Sequence, residues 1–364
     1  MSGTLPLALP LDYPIYVRHG VISELGSIVQ EAAPAHRYAV ISDTRVASLH
    51  AARLLALLPA DRSRLFTIPP GEHEKTRARW AELTDALLGW GAGRDTTVIA
   101  LGGGVIGDLA GFVAATYMRG IPVVQVPTTV LAMVDASVGG KTAIDTAFGK
   151  NLVGAFHNPS AVVIDPALLE TLPPADLRSG LAEMIKHGVI ADATYFDAIL
   201  RELPDIGDRG ALAPAFAMLI TGSVHIKAAV VAEDVRENGL RQTLNFGHTI
   251  AHAIERVLEY RILHGEAVAI GMVIEARLAE RLSISSSGLS VAVVDALTRA
   301  GLPTTIPVGV DTGALLLATK GDKKNRAGSV CYSLPRAIGE MDPAEGRWSV
   351  GVSDEDVLSV LTSL

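Results

Sequence analysis

Short apolar runs rich in β-branched residues alternate with helical stretches through the first half of the chain. Four of these runs predict buried strands, over residues 38–42, 97–101, 123–126 and 161–164. Strands that alternate with helices form parallel sheets, because parallel neighbours need a crossover connection. Most of the runs end in polar or glycine-containing turns, where open α/β sheets present ligand-binding loops. The pattern therefore predicts an α/β domain with a ligand site at its strand ends.

The pattern changes after Leu172, where a Pro173-Pro174 break precedes mainly helical periodicity. The predicted helices cover residues 176–188, 214–231, 249–258 and 265–282, with a short one after Ser353. A chain of 364 residues also exceeds the usual size of a single core, which favours about two domains. We therefore predict an α/β domain over residues 1–172 and a mainly helical domain over residues 173–364.

Charge and composition exclude several classes of partner. A formal net charge of -8 argues against nucleic acid and anionic membranes, because both select for a basic surface. No segment offers the roughly 20 uninterrupted apolar residues of a membrane span, and neither a signal peptide nor an arginine-rich transit peptide is apparent. The single cysteine, Cys331, excludes an internal disulfide. We expect a cytoplasmic protein with no nucleic-acid or membrane partner.

A glycine-rich turn follows the predicted strand 97–101. It covers residues 102–108 and leads into a predicted helix over residues 110–116. Glycines let backbone N–H groups approach a pyrophosphate, and the dipole of a helix N-terminus favours the same anion. The spacing is not G-x-G-x-x-G, so a tight strand-to-helix turn remains the alternative. Asp43, residues 71–75 and Thr128-Thr129 add candidate ligand loops, and together these segments predict a nucleotide site.

Cationic residues form a local cluster in this acidic chain. Arg119, Lys141, Lys150 and Asn151 lie among glycines that allow sharp turns, which suits phosphate or carboxylate capture in loops. Solvated surface lysines are the alternative interpretation. Further cationic candidates are Lys186, Lys227, Arg241, Lys323 and Lys324. A substrate with two anionic groups would use several of these side chains.

Three histidines lie close together in an otherwise apolar stretch. His248 and His252 are four residues apart, on one face of a predicted helix, and His264 follows after a loop. Histidine plus carboxylate is a common catalytic zinc set that leaves positions open for water or substrate. Spacing alone selects His248 and His252 as ligands, with Glu183 or Glu266 as the third. Structural histidines are the alternative.

These motifs resemble the 3-dehydroquinate synthase family of the sugar-phosphate cyclases. The stretches that carry the resemblance are residues 102–108, 111–120, 127–129, 134–142, 149–151, 182–186, 244–252, 264–266 and 322–324. The resemblance implies a dehydroquinate synthase-like fold, with an N-terminal Rossmann-like NAD domain and a mainly α-helical, metal-bearing C-terminal domain. It also implies NAD and Zn²⁺ or Co²⁺ as cofactors, and a homodimer with its active site between the domains.

The resemblance assigns roles to individual positions. It implies that Glu183, His248 and His264 hold the metal, whereas His252 faces the substrate. The implied catalytic positions are Lys141, Lys186, Asn245 and His252. The implied substrate-binding positions are Asp135, Asn151, Lys227, Arg241, one of Lys323 and Lys324, and Arg119, which reaches the partner subunit's site. The implied NAD positions are Asp43, Glu72, Lys75, Gly103, Gly104, Val105, Asp108, Thr128, Thr129, Lys150, Thr171 and Leu172.

The implied activity belongs to the shikimate pathway. The family converts 3-deoxy-D-arabino-heptulosonate 7-phosphate, a phosphorylated sugar acid, into 3-dehydroquinate and phosphate. The steps are oxidation at C5, phosphate elimination, reduction of the ketone, ring opening and aldol closure, with NAD regenerated in each turnover.

Four kinds of related protein are alternatives. Aminodehydroquinate synthases share the motifs, whereas other sugar-phosphate cyclases tend to lose some cationic positions and the second histidine, which are retained here. Metal-dependent polyol dehydrogenases resemble the architecture but would release NADH. A nucleotide-binding regulator that lost the chemistry is disfavoured by the intact Glu183, His248 and His264.

Overall fold

The computed structural model describes residues 5–203, 209–320 and 330–363. Two candidate residues, Lys323 and Lys324, lie outside the described residues. The chain divides into two compact units. The first comprises Met1–Pro173 and Ile206–Val224, and the second comprises Pro174–Asp205 and His225–Leu364.

The first unit is built on a parallel sheet. Its strands are β1 (Ile15–Val17), β2 (Arg37–Asp43), β3 (Ser63–Ile68), β4 (Thr96–Gly102), β5 (Val123–Pro127), β6 (Lys141–Thr146), β7 (Gly149–Phe156) and β8 (Ala161–Ile164). Six of them form one sheet in the order β1-β8-β5-β4-β2-β3, and every neighbouring pair is parallel. The Rossmann-like α/β prediction is therefore confirmed, including the four predicted strands. These strands were predictable because their residues are almost uniformly apolar and buried on both faces.

Helices connect the strands of this unit. They are α1 (Leu25–Ala32), α2 (Thr44–Val46), α3 (Ala52–Leu55), α4 (Arg77–Gly89) and α5 (Gly104–Thr116). The last of these begins at Gly104 rather than near Ala110, so most of the glycine-rich segment is helical. The glycines are needed for close packing, because a Cβ at Gly107 would lie 3.0 Å from Oε1 of Gln125 on β5. Helix α5 can therefore lie close to the sheet.

Strands β6 and β7 form a separate antiparallel hairpin. The sequence predicted glycine-flanked loops here, and this prediction is wrong. Lys141 begins β6, while Lys150 and Asn151 lie in β7. A Cβ at Gly154 would clash with the carbonyl oxygen of Thr142 on the paired strand. Glycine thus permits close pairing at this position rather than marking a loop.

The second unit is mainly helical, as predicted. Its helices are α6 (Pro174–Ala191), α7 (Ala193–Glu202), α8 (Arg209–Glu233), α9 (His248–Val257), α10 (His264–Arg281), α11 (Leu289–Arg299), α12 (Thr312–Thr319) and α13 (Asp354–Thr362), of which α8 begins in the first unit. Short antiparallel pairs are formed by β9 (Cys331–Tyr332) with β12 (Val350–Gly351), and by β10 (Pro335–Ala337) with β11 (Glu340–Met341). Helix α10 lies in the core, because thirteen of its eighteen residues are buried.

One segment of α8 is apolar and long enough to be considered as a membrane span. By length and composition, the window Phe216–Glu233 meets that criterion. Half of the window is buried inside the structure, and a core helix of a soluble protein meets the same criterion. The window also contains Lys227 and Glu233. The segment is therefore weak evidence for a membrane span, and the absence of one stays a prediction.

Candidate cofactor and metal sites

The strand order of the first unit reverses between β2 and β4. Beyond β2 lies β3, whereas β5 lies on the other side of β4. Open α/β sheets bind ligands outside the carboxyl ends of their strands at such a reversal. Asp43 ends β2 and Gly102 ends β4 at this edge. The reversal therefore lies beside the glycine-rich turn that the sequence selected.

The N-terminus of α5 opens at the same edge of the sheet. Gly103 precedes the helix as its N-cap, and Gly104 and Val105 are its first two residues. The first N–H groups of a helix lack partners within the helix and favour an anion. A Cβ at Gly103 would lie 3.1 Å from Cγ2 of Thr129, so a larger residue would crowd this edge. The geometry suits a pyrophosphate approached by backbone N–H groups.

Polar side chains hold the neighbouring turns. One carboxylate oxygen of Asp43 accepts hydrogen bonds from the backbone N–H groups of Arg45 (2.9 Å) and Val46 (2.8 Å). The hydroxyl of Thr129 accepts one from the N–H of Ala132, at 3.1 Å. The hydroxyl of Thr128 is buried and makes no hydrogen bond within the described part of the chain. It is therefore a polar group that a bound ligand would satisfy.

Lys75 lies at the centre of a buried charge cluster. Its Nζ is 3.1 Å from Glu72, 3.2 Å from Asp108 and 3.7 Å from Asp145, and its side chain is 4% exposed. Burial alone would lower the pKa of Lys75, but the three carboxylates raise it above its usual value. Burial raises the pKa of Asp108. The cluster brings together three residues that the resemblance assigned to NAD, namely Glu72, Lys75 and Asp108.

Asp145 is a member of this cluster that sequence reasoning missed. One of its carboxylate oxygens accepts a hydrogen bond from the backbone N–H of Asn151, at 2.9 Å. Asn151 has a φ of 55°, a left-handed conformation that costs free energy for most residues and therefore needs support. Nζ of Lys150 lies 3.7 Å from Glu72. Asp145 thus connects the Lys75 cluster to Asn151, a candidate substrate contact, although no recognisable motif marks it.

The other candidates of the first unit are more dispersed. Arg119 is exposed with a φ of 71°, and Lys141 is exposed at the start of β6. Asp135 lies in a π-helical turn, Ala132–Ala136. Thr171 ends the 3₁₀ helix Pro166–Thr171, where its hydroxyl lies 3.0 Å from Nε2 of His50, and the buried Leu172 follows.

Three helices of the second unit bring together one carboxylate and two imidazoles. Glu183 lies on α6, His248 begins α9 and His264 begins α10. Oε1 of Glu183 is 3.3 Å from Nε2 of His248 and 3.4 Å from Nε2 of His264. The three potential ligand atoms lie within 4.8 Å of one another. Spacing alone favoured His252 as a ligand, but the described cluster pairs His248 with His264 instead.

The ring hydrogen bonds of the two histidines show how this cluster suits a cation. Nδ1 of His248 lies 3.1 Å from the carbonyl oxygen of Phe246, and Nδ1 of His264 lies 3.2 Å from Glu255. Both partners are acceptors, so each Nδ1 carries the proton and each Nε2 of a neutral ring has a lone pair. These lone pairs would face Glu183, whose carboxylate is fully buried and contacts the Lys186 ammonium.

Distances within the cluster fit a tetrahedral ion. Two ligand atoms that each lie ~2.1 Å from such an ion are about 3.4 Å apart, close to the observed separations of 3.3 and 3.4 Å. Two imidazole nitrogens and one carboxylate oxygen are also the donors that catalytic Zn²⁺ sites use. The residues present therefore fit a zinc-like divalent ion, with room in the coordination shell for a substrate oxygen.

Charges around the cluster set its ionisation. Burial and the nearby Lys186 ammonium lower the pKa of His248 to about 4. Burial opposes protonation of His264 as well, but hydrogen bonds to Glu183 and Glu255 raise its pKa to about 10. Burial would raise the pKa of Glu183, yet Lys186 and His248 hold it well below the usual value. The carboxylate and the ring nitrogens therefore favour a bound positive charge, which is either a proton on His264 or a metal ion.

Glycines allow the ligand-bearing helices to approach closely. A Cβ at Gly265 would clash with the carbonyl oxygen of Ser179 on α6, and the N–H of Gly265 donates to the Ser179 hydroxyl at 2.9 Å. Gly247 precedes α9 with a φ of 80°, and its Cβ would lie 2.7 Å from Cγ of Met272 on α10. These two contacts fix the starts of α9 and α10, and therefore the positions of His248 and His264.

Two buried carboxylates support these helices, and sequence reasoning missed both. Glu275 on α10 is fully buried and accepts a hydrogen bond from the N–H of Gly247, at 2.7 Å. Glu255 on α9 contacts His264, as described above. Periodicity could have flagged Glu255, because it follows His252 by three residues and therefore shares its helical face. Glu275 carries no comparable signal, since only the packing of α10 against α9 brings it to Gly247.

The remaining candidates of the second unit lie on α6, α8 and the segment before α9. Lys186 pairs with Glu183, and Lys227 is buried on α8. The ring of His252 makes an edge contact with His248, with centroids 5.7 Å apart. Arg241 is 1% exposed, and its guanidinium donates to the carbonyl oxygen of Val235 at 2.7 Å.

The segment that carries Arg241 and Asn245 is held by two further carboxylates. Asp234 accepts hydrogen bonds from the backbone N–H groups of Gly239 (2.7 Å) and Arg241 (3.1 Å). Glu237 accepts one from the Asn245 amide, at 3.0 Å. Asp234 and Glu237 therefore shape the turn that presents two predicted substrate contacts, and sequence reasoning did not select them.

Comparison with known proteins places both halves of the chain in one family. The family model described as 3-dehydroquinate synthase N-terminal matches residues 65–179, and the one described as 3-dehydroquinate synthase C-terminal matches residues 180–325. The 3-dehydroquinate synthase of Symbiobacterium thermophilum is 44% identical over 335 residues, which cover 90% of this chain and 92% of the relative.

Solved structures of related cyclases share the fold. A 2-deoxy-scyllo-inosose synthase complexed with carbaglucose-6-phosphate, NAD⁺ and Co²⁺ has a TM-score of 0.87 at 26% identity, covering 96% of each chain. The 2-epi-5-epi-valiolone synthase of Streptomyces hygroscopicus, with NAD⁺ and Zn²⁺ bound, has a TM-score of 0.86 at 29% identity. That comparison covers 97% of this chain and 96% of the other.

Proposed function

Because the chain belongs to the 3-dehydroquinate synthase family, we propose that it converts 3-deoxy-D-arabino-heptulosonate 7-phosphate into 3-dehydroquinate and phosphate. The observation that carries the proposal is the match to this family over residues 65–179 and 180–325. The matched ranges include the Lys75 cluster, the α5 N-terminus, Glu183, His248 and His264. The enzyme would accordingly be a carbon–oxygen lyase of the shikimate pathway.

The cofactor sites follow from the same residues. We propose that NAD binds at the reversal between β2 and β4, with its pyrophosphate at the N-terminus of α5. Glu183, His248 and His264 would hold Zn²⁺ or Co²⁺, the ions carried by the related cyclase structures. When bound, NAD accepts and returns a hydride while the metal polarises the substrate oxygens involved.

The protein's own groups supply binding and orientation. Lys186, Lys227 and Arg241 are buried cations in the second unit, and they suit the carboxylate and phosphate of the sugar. His252 and Asn245 would contact the substrate hydroxyls. Oxidation at C5 acidifies the neighbouring C–H bond, and an oxygen of the departing phosphate can take that proton. Orientation and charge complementarity therefore matter more than a strong protein base.

We also propose a homodimer in the cytoplasm, as the family resemblance implies. Arg119 would contact the partner subunit's site, and its exposed side chain leaves it accessible for that contact. Analytical ultracentrifugation of the purified protein tests the assembly. A dimer mass supports the proposal, and a monomer at assay concentration contradicts it.

Product analysis tests the proposed reaction and separates it from the alternatives. The protein would be incubated with NAD, Zn²⁺ and one of three substrates: the heptulosonate phosphate, its amino analogue or glycerol. We expect 3-dehydroquinate by mass spectrometry and free phosphate from the first substrate, and no product after His264→Ala. Faster turnover of the amino analogue, or NADH formation from glycerol without free phosphate, would contradict the proposal.

A further inference from the structure

A buried carboxylate on α9 faces Nδ1 of His264, the ring nitrogen that does not face Glu183. Glu255 is 3% exposed, and its Oε1 lies 3.2 Å from Nδ1 of His264. The other ring nitrogen of His264, Nε2, lies 3.4 Å from Oε1 of Glu183. The imidazole is therefore bracketed by two buried carboxylates, one on each nitrogen.

We infer that Glu255 is a positioning residue of the metal centre, which holds the His264 ring by accepting a hydrogen bond from Nδ1. This inference rests on the metal site of the proposed function. A carboxylate only accepts hydrogen bonds, so the partner nitrogen must carry the proton. When a metal ion replaces the second ring proton, the imidazole has one N–H on Nδ1, and the lone pair on Nε2, beside Glu183, is available to the ion. Glu255 thus selects both the tautomer and the orientation that a metal ligand needs.

Helix geometry explains why Glu255 can take this role. His248, His252 and Glu255 are spaced by four and three residues along α9, so all three lie on one helical face. Helix α9 therefore contributes a ligand of its own and also the carboxylate that orients a ligand on α10. A buried carboxylate costs free energy unless it is partnered, and the contact with His264 offsets part of that cost.

The two histidines differ in the support they receive. Nδ1 of His248 faces the neutral carbonyl oxygen of Phe246, whereas Nδ1 of His264 faces the charged Glu255. A charged acceptor makes a stronger hydrogen bond than a neutral one and donates more electron density to the ring. His264 begins its helix and its side chain is 28% exposed, against 11% for His248. The more exposed ligand is thus the one with the stronger support.

Metal affinity measured apart from catalysis tests this role. Metal-depleted wild type, Glu255→Ala and Glu255→Gln would be titrated with Zn²⁺ in competition with a chromophoric chelator. We expect Glu255→Ala to weaken Zn²⁺ binding about 10- to 100-fold. Glu255→Gln should lose less, because its amide oxygen can still accept the hydrogen bond without the charge. Thermal unfolding of each metal-depleted protein reports whether the fold has changed.

Glu280→Gln is a matched control on α10. Its carboxylate is partly buried and accepts hydrogen bonds from the N–H groups of Gly288 and Ser290, both at 2.9 Å. We expect this variant to bind Zn²⁺ like wild type. Zn²⁺ affinity within twofold of wild type in both Glu255 variants would overturn the inference, as would an equal loss in Glu280→Gln.

The same preparations separate this inference from the proposed function. The function alone is contradicted if the Glu255 variants bind Zn²⁺ more weakly than wild type but wild type releases no phosphate from the heptulosonate phosphate. Wild type that turns over the substrate while both Glu255 variants keep full affinity contradicts the role of Glu255 alone.

Discussion

Lys75 shows how a single buried charge can hold several carboxylates together. Its ammonium lies within 4 Å of Glu72, Asp108 and Asp145. Removing one partner of a buried charge cluster is strongly destabilising, because the other charges stay buried without compensation. Arg79 also contacts two carboxylates, Glu74 and Glu82, but its side chain is 29% exposed. Both cations contact more than one carboxylate, so comparing them tests the effect of burial.

We predict that Lys75→Met lowers the free energy of unfolding by about 3–5 kcal/mol at neutral pH, whereas Arg79→Met has a much smaller effect. Urea denaturation of both variants gives the comparison.

Burial already raises the pKa values of Asp108 and Asp145, and loss of the Lys75 ammonium would raise them further. The folded Lys75→Met variant then binds more protons than its unfolded chain. Its loss of free energy of unfolding relative to wild type should therefore shrink as pH falls from about 8 to about 5. Equal losses in both variants, or a deficit that grows on acidification, would contradict this account.

At the scale of elements, the cluster of Glu183, His248 and His264 depends on where α9 and α10 begin and on how they pack against α6. Gly265 packs against Ser179 of α6, and Gly247 packs against Met272 of α10. No side chain fits at these contacts, so glycine is required for packing rather than for flexibility. Changing either residue should move a histidine away from Glu183.

We predict that Gly265→Ala lowers the free energy of unfolding by about 1–3 kcal/mol, because the added methyl group clashes with backbone. Gly89→Ala is the matched control, since a Cβ there meets nothing within 4 Å at the end of α4. That variant should be neutral or slightly stabilised, because alanine favours helix. Gly265→Ala should also bind Zn²⁺ more weakly in the chelator competition. Wild-type stability and Zn²⁺ affinity in Gly265→Ala would refute the packing argument.

The elements also show what the sequence could predict and why the rest needed packing. Strands such as β4 were predictable because all their residues are buried, whereas β3 alternates exposed and buried residues and was not selected. The β6–β7 hairpin was read as loops because its glycines serve pairing. Periodicity found His248 and His252 on one face, but only the packing of α6, α9 and α10 brings Glu183 and His264 to the same point. Glu255, Glu275 and Asp145 were missed for the same reason, because their partners lie on other elements.

At the scale of the whole molecule, each unit carries one kind of chemistry. In the proposed function, the first unit binds the dinucleotide beside the Lys75 cluster, and the second holds the divalent ion with one carboxylate and two imidazoles. The proposed reaction needs both on every turnover, since the hydride removed from C5 must be returned before the product is released. NAD should therefore act as a catalyst rather than as a consumed substrate.

The ratio of product to NAD tests this central claim most directly. The enzyme would receive Zn²⁺, the heptulosonate phosphate and NAD far below the substrate concentration, and the reaction would run to completion. We predict equal amounts of 3-dehydroquinate and phosphate, many turnovers for each NAD, and no accumulation of NADH. NADH that forms mole for mole with substrate loss, without release of phosphate, would contradict the account.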